Sequence, residues 1–180
     1  RVELLQISSY IGLYSNSSHL DLFYTTIDQC KENSYDGMII TGAPVENLDF
    51  TQVDYWDGLC SIMEWSKTHV HSTLPICWGA QAALYYHYDV PKHSLAKQLF
   101  GVFKHDVLKP SSPLFRGFDD VFLAPHSRYT EVHETDVRKA PELEVLATSP
   151  EAGLVALKTA DSRKFFLLRH PEYSPATPPP

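Results

Sequence analysis

The amino-acid sequence predicts an α/β domain: an open sheet with alternating strands and helices in its first half and mostly strands in its second. Two observations carry this. Up to Pro91, short apolar runs alternate with longer stretches of helical periodicity. Beyond it, apolar runs follow one another with only turn residues between them. Both rhythms fit an open α/β sheet that becomes β-rich. The 180 residues are enough for one domain with a real hydrophobic core.

Taken in order, residues 2–7 read as a strand and residues 20–31 as a helix. "DGMIITGAP", residues 36–44, is a buried strand running into a glycine turn. Residues 53–67 carry Val53, Trp56, Leu59, Cys60 and Met63 at three- and four-residue spacing, which predicts an amphipathic helix. Residues 74–76 form the next strand, and residues 78–88 its following helix. "FGVFKHDVL", "DDVFLAP", "ELEVLAT", "GLVALK" and "KFFLLRH" then continue as strands. Residues 1–174 are expected to form a single domain, and "PATPPP", residues 175–180, an extended or disordered tail. Opening on Arg1 directly before a strand pattern, the sequence reads as a fragment or a clipped product.

A net charge of −7 suggests no nucleic-acid-binding face. No apolar run approaches the ~20 residues needed to span a bilayer, so no membrane role is expected. Cys30, Cys60 and Cys77 are an odd count in no disulfide spacing, which points to reduced thiols and a cytoplasmic protein. No CxxC or HxxxH spacing offers a metal site. "HVH", at His69 and His71, supplies a pair that needs further ligands, so it reads as a solvated loop and no metal is expected.

In open α/β sheets, ligands sit beyond the carboxyl ends of the strands. Three candidate groups fall there: the turn Gly42-Ala43-Pro44, Cys77, and His170. Cys77 lies in "LPICWGAQ", where an apolar run becomes a helix. Such a corner lifts the sulfur out of the sheet, and the helix N-terminus favours thiolate. The N–H of the next residue, Trp78, then forms half of an oxyanion hole. Small residues at Gly79 and Ala80 let strand and helix pack closely. A buried packing role is the competing reading of a free cysteine, and it suffices for Cys30 and Cys60, which lie within helical patterns.

"RHPEYS" raises Cys77 above that reading. His170 follows a strand, Pro171 fixes the turn, and Glu172 is close enough to orient the imidazole. Thiol, imidazole and carboxylate then take the roles of nucleophile, base and orienter.

"ICWGAQ" with a later "HPE" resembles the class I glutamine amidotransferase superfamily. That resemblance implies a flavodoxin-like three-layer sandwich with a mostly parallel central sheet and a Cys–His–Glu triad. "YDGMIITGAPVENLDFTQVDYW", "EWSKTHVHSTLPICWGAQAALYYHY", "GVFKHDVL" and "RGFDDVFLAPHSRYTEV" look more specifically like the homoserine O-acyltransferase family, the homoserine transsuccinylases. The likeness runs from about Tyr35 to Tyr173. It implies transfer of an acyl group from acyl-CoA, through a thioester on Cys77, to the hydroxyl of L-homoserine, an early step in methionine synthesis. His170 would serve as base, Glu172 as its orienter, and Gly42 and Ala43 would complete the oxyanion hole with Trp78. Ser127, in "APHSRY", matches a position that contacts the acceptor.

Acyl-CoA is then a co-substrate, no bound cofactor is implied, and a homodimer is the candidate assembly. Glu46 matches the position that discriminates between acyl donors. A glutamate there repels the carboxylate of succinyl-CoA and favours acetyl-CoA, with succinyl-CoA the alternative donor. Two positions depart from the family pattern. Gln98 stands where a substrate-contacting lysine is usual, and Arg169 where a small residue is usual. The family's acceptor-binding arginine is expected beyond the triad, outside these residues. L-Serine, one methylene shorter, therefore remains an alternative acceptor. A glutamine amidotransferase-like hydrolase with the same triad is the alternative enzyme.

Overall fold

The computed structural model describes residues 1–7 and 23–170. The chain divides into two compact units, one of Arg1–Met38 with Leu48–His71, the other of Ile39–Asn47 with Ser72–Pro180.

In the first unit, β1 (Leu4–Gln6) pairs in parallel with β2 (Tyr24–Thr26), which leads into the short helix α1 (Ile27–Cys30). The periodicity predicts one helix over residues 20–31, of which 20–22 lie outside the described residues. The structure instead has a strand at 24–26, where Tyr24, Thr25 and Thr26 are aromatic or β-branched and favour extended backbone. The strand β3 (Tyr35–Ile40) follows.

The predicted amphipathic helix is α2 (Trp56–His69), preceded by a 3-10 turn at Phe50–Gln52. It buries Trp56, Leu59, Ile62, Met63 and Ser66 along one stripe. Phe50 stacks on Trp56 at 5.3 Å, and Trp65 Nε1 donates to the Lys31 carbonyl at 2.9 Å. "HVH" is not a loop: His69 ends α2 with its ring stacked on Trp65, and Val70 and His71 begin the strand β4 (Val70–Pro75).

The second unit holds α3 (Trp78–Tyr88), the predicted helix after Cys77. Its first seven residues are all buried, which explains an apolar sequence with no polar face at its start. Five strands form one sheet in the order β6-β5-β7-β8-β9, these being β5 (His93–Val107), β6 (Val121–Glu131), β7 (Leu143–Ser149), β8 (Gly153–Thr159) and β9 (Phe165–Leu167). The short helix α4 (Glu134–Val137) lies between β6 and β7. The sheet's core packs Phe115, Leu146, Ala147, Val155, Ala156 and Leu167 together, with Leu74, Val107 and Phe122 against them.

The architecture is mixed α/β, as the sequence predicts, but the mostly parallel central sheet needs correction. Every pairing in the five-stranded sheet is antiparallel. Turns of a few residues join β7 to β8 and β8 to β9, and connections that short cannot return a chain in parallel. Outside that sheet, β1 and β2 run parallel, and so do two bridges, Thr73 to Lys164 and Ile76 to Leu167. Those bridges lay β4 and the residue after it along β9.

Gly79 shows how closely α3 approaches its neighbour. A Cβ there would stand 2.7 Å from the carbonyl oxygens of both Ile40 and Thr41. Backbone cannot step aside as a side chain can, so Gly79→Ala is expected to destabilise the protein by about 1–3 kcal/mol, or more. Urea unfolding with a lowered midpoint and unchanged slope checks this.

Candidate active site

Cys77 caps α3 with φ 52° and ψ −121°, a left-handed conformation that a non-glycine residue adopts only under strain. Three hydrogen bonds hold it there. Its N–H donates to the Leu167 carbonyl of β9 at 2.7 Å, and its own carbonyl accepts from Ala80 and Gln81. The sharp turn between strand and helix aims the side chain outward from the sheet end, the geometry of a nucleophile elbow. Cys77 is 8% exposed. Trp78 is the first residue of α3, so its N–H belongs to the set that points out of the helix start.

The turn after β3 comes down on the same spot. A Cβ on Gly42 would meet Cys77 Cβ at 3.3 Å, Cys77 Sγ at 3.8 Å and His170 Cε1 at 3.8 Å. Sulfur and imidazole therefore converge over Gly42, where an added Cβ would be tight only against Cys77 Cβ. His170 stands three residues beyond Leu167, so the strand that receives the Cys77 N–H also delivers the imidazole. Ala43 lies beside Gly42 in the same half-buried turn. Glu172, with Pro171, lies outside the described residues.

Glu46 reaches the same region. Burial pushes its carboxyl above the usual 4.5, against the Tyr129 N–H that it accepts from and the charges of His170, Lys92 and Arg128. Lys92 Nζ donates to the Glu46 carbonyl oxygen.

Alternation along β6 puts Ala124, His126, Arg128 and Thr130 on its buried face and Ser127 on the other. Ser127 pairs across the ladder with Phe100, beside the exposed Val102 and Leu123. Gln98 sits half-buried on β5 at the irregularity between Ser94 and Leu99, where the β5–β6 register shifts. Arg169 lies with its guanidinium 5.4 Å over the Phe122 ring, so this departure from the family pattern is accommodated by cation–π packing.

Several residues of this region escaped the sequence reading. Arg128 is 4% exposed, donates through Nη1 to the Thr130 carbonyl and through Nη2 to the Ala152 carbonyl, and acts electrostatically on Cys77 and Glu46. The Thr130 carbonyl also accepts from Gln81 Nε2, while Thr130 Oγ1 donates back to Gln81 Oε1, which ties α3 to β6. His126 and His105 are fully buried, with their Nε2 atoms 2.9 Å apart. One must donate and the other accept, so a neutral pair fits the contact. The period-two pattern of "APHSRYT" could have signalled that His126 and Arg128 share a face, but not that the face is buried.

Solved structures share the fold. A putative GMP synthase component from Thermoplasma acidophilum superposes with a TM-score of 0.66 at 17% identity, covering 96% of this chain and 85% of its own. A glutamine amidotransferase from Thermotoga maritima gives 0.60 at 12% identity, covering 73% of this chain and 55% of its own. These likenesses show a shared mixed α/β fold. Sequence narrows this further. The profile of the homoserine O-succinyltransferase family matches residues 1–178, and the chain belongs to that family. Among its relatives are proteins named homoserine O-acetyltransferase from Agathobacter rectalis, 55% identical over 96% of this chain and 56% of the relative, and from Bacteroides fragilis, 49% identical over 98% and 58%. A Clostridium novyi protein of the same name is 52% identical over 98% of this chain and 58% of its own length. The chain thus spans somewhat over half the length of these relatives.

His126 also makes a pH dependence. Burial, then Arg128, His105, Arg169 and His170, push its imidazole down from 6.5 to about 3. The unfolded chain takes up this proton near 6.5 and the folded chain only near 3. Stability from this group is complete above the higher value and is lost as pH falls through the window. The expected slope is about 1.4 kcal/mol per pH unit for one imidazole. Urea midpoints measured across that window should fall toward acid, and fall less steeply in His126→Asn.

Proposed function

We propose that this chain carries the acyl-transfer centre of a homoserine O-acetyltransferase. The observation that carries the reading is the convergence of Cys77 Sγ and His170 over Gly42, in a chain of this family. His170 takes the thiol proton, and the Cys77 thiolate attacks the thioester carbonyl of acetyl-CoA. The Trp78 N–H and the Gly42–Ala43 turn stabilise the oxyanion. CoA leaves as a thiol with the proton that His170 returns. Cys77 then holds the acetyl group as a thioester, close in energy to the donor it came from. The L-homoserine hydroxyl gives its proton to His170 and attacks, and Cys77 leaves as thiolate. Glu172 would orient His170, and Ser127 and Gln98 are acceptor contacts on the family likeness alone, since Ser127 lies on the β6 face opposite Arg128.

The position of Glu46, within electrostatic reach of His170 and Arg128, supports acetyl over succinyl. A second carboxylate brought into a half-buried pocket meets like charge there, and a few kcal/mol of repulsion decides the donor. The acceptor reading is L-homoserine, with L-serine as its rival, since Gln98 brings no positive charge to an amino-acid carboxylate. No helix among the described residues is long and apolar enough to cross a membrane. A biosynthetic use of acyl-CoA fits the cytoplasm.

Intact mass spectrometry after acetyl-CoA without acceptor should show one acetyl group, absent in Cys77→Ala. Full-length protein that gains no acetyl group and hydrolyses glutamine instead would overturn the reading in favour of the amidotransferase-like alternative. In a second test, Glu46→Gly should raise kcat/KM for succinyl-CoA relative to acetyl-CoA by at least tenfold. An unchanged ratio would remove Glu46 from donor selection.

A further inference from the structure

His93, His133 and Asp136 meet at a place the transfer chemistry does not use. His93 opens β5, His133 follows β6, and Asp136 lies in α4. The two imidazole rings stack in parallel, 3° apart in plane and with centroids at 3.9 Å. His93 Nε2 lies 2.7 Å from Asp136 Oδ2, and His133 Nε2 lies 3.1 Å from Glu131 Oε1. One ligand atom from each of His93, His133 and Asp136 falls within 4.8 Å of the others.

We propose that His93, His133 and Asp136 bind a late first-row divalent cation, Zn2+ being the probe. Two imidazoles and a carboxylate are the donor set that such borderline ions prefer. With metal bonds of about 2.0–2.2 Å, tetrahedral donors stand about 3.3 Å apart. The ligand atoms need to close by at most about 1.5 Å, and the His93 and His133 side chains are 38% and 45% exposed, enough to turn. Asp136 is 11% exposed and already oriented. Lys139 Nζ holds its Oδ1 at 2.7 Å, which leaves Oδ2 for the ion, the arrangement by which an outer partner fixes a ligand.

Glu131 pairs with His93 across the β5–β6 ladder and stands beside His133, positioned as a fourth ligand or as the acceptor that orients that ring. Binding replaces the contact between His93 Nε2 and Asp136 Oδ2. The bound ion would join the start of β5 to α4, one residue from the Lys92 that holds the Glu46 carbonyl. The sequence shows only half of this, an HxxD spacing at His133 and Asp136. The second histidine lies forty residues earlier in the chain and is brought in by strand pairing.

The test titrates full-length protein with Zn2+ against a chromophoric chelator, in the parent, His93→Ala and His133→Ala. One equivalent per chain is expected, weakened at least tenfold in each variant. His133 is exposed, so its variant should fold, and an unchanged far-ultraviolet circular dichroism spectrum checks that it has. Co2+ in place of Zn2+ should give the intense visible bands of a four-coordinate site without a thiolate charge-transfer band. The proposal is overturned if no equivalent binds at low-micromolar Zn2+, if both variants bind like the parent, or if the cobalt spectrum shows thiolate ligation.

Discussion

The site depends on one hydrogen bond, from the Cys77 N–H to the Leu167 carbonyl at 2.7 Å. It fixes a strained left-handed cysteine against the strand whose next residues deliver His170. A backbone at φ 52° costs about 1–3 kcal/mol, and it persists only because its surroundings hold it from several sides. Ile76 bridges to Leu167, the Ile76 N–H donates to Ile40, and the Cys77 carbonyl accepts two N–H groups of the helix it begins. Cys77 and His170 are thus placed by the same few backbone contacts. Gly79 is required because two backbone carbonyls approach too closely for a Cβ, and at Gly42 a Cβ would crowd Cys77 Cβ.

Around this corner the structure buries charge where an apolar core would be simpler. Arg128 and Glu46 lie within electrostatic reach of one another, Arg128 also of Cys77 and Glu46 also of His170. An isolated guanidinium in such a place would be costly. The carbonyls of Thr130 and Ala152 accept two of its N–H bonds, and Glu131, Cys77 and Glu46 favour its charged form. The Gln81–Thr130 exchange locks the strand that bears it to the helix that begins at Cys77. The corner is therefore held by polar contacts as much as by packing.

Local signals in the sequence were enough for much of this. The helix at Trp78–Tyr88 begins where an apolar strand meets Cys77 followed by two small residues, and nothing competes with that reading. The helix at Trp56–His69 follows its apolar spacing. Helical periodicity over residues 20–31 hid the extended Tyr24–Thr26, where an aromatic and β-branched run and pairing with Leu4–Gln6 prevail. Nor could apolar runs distinguish antiparallel from parallel strands, although the few-residue turns between the last three pointed to hairpins. The Cys77 and His170 pairing was legible from the motif, whereas Arg128 and His126 needed the burial of one face of β6.

The most direct measurement is the pH profile of Cys77 alkylation by iodoacetamide, resolved by peptide mapping in the parent and in His170→Asn. Cys60, whose thiol burial and Asp57 push up to about 11, is an internal reference. A working pair makes Cys77 react at far lower pH than Cys60 and moves its profile upward when His170 is replaced. A Cys77 profile that matches Cys60, or that is indifferent to His170, contradicts the account.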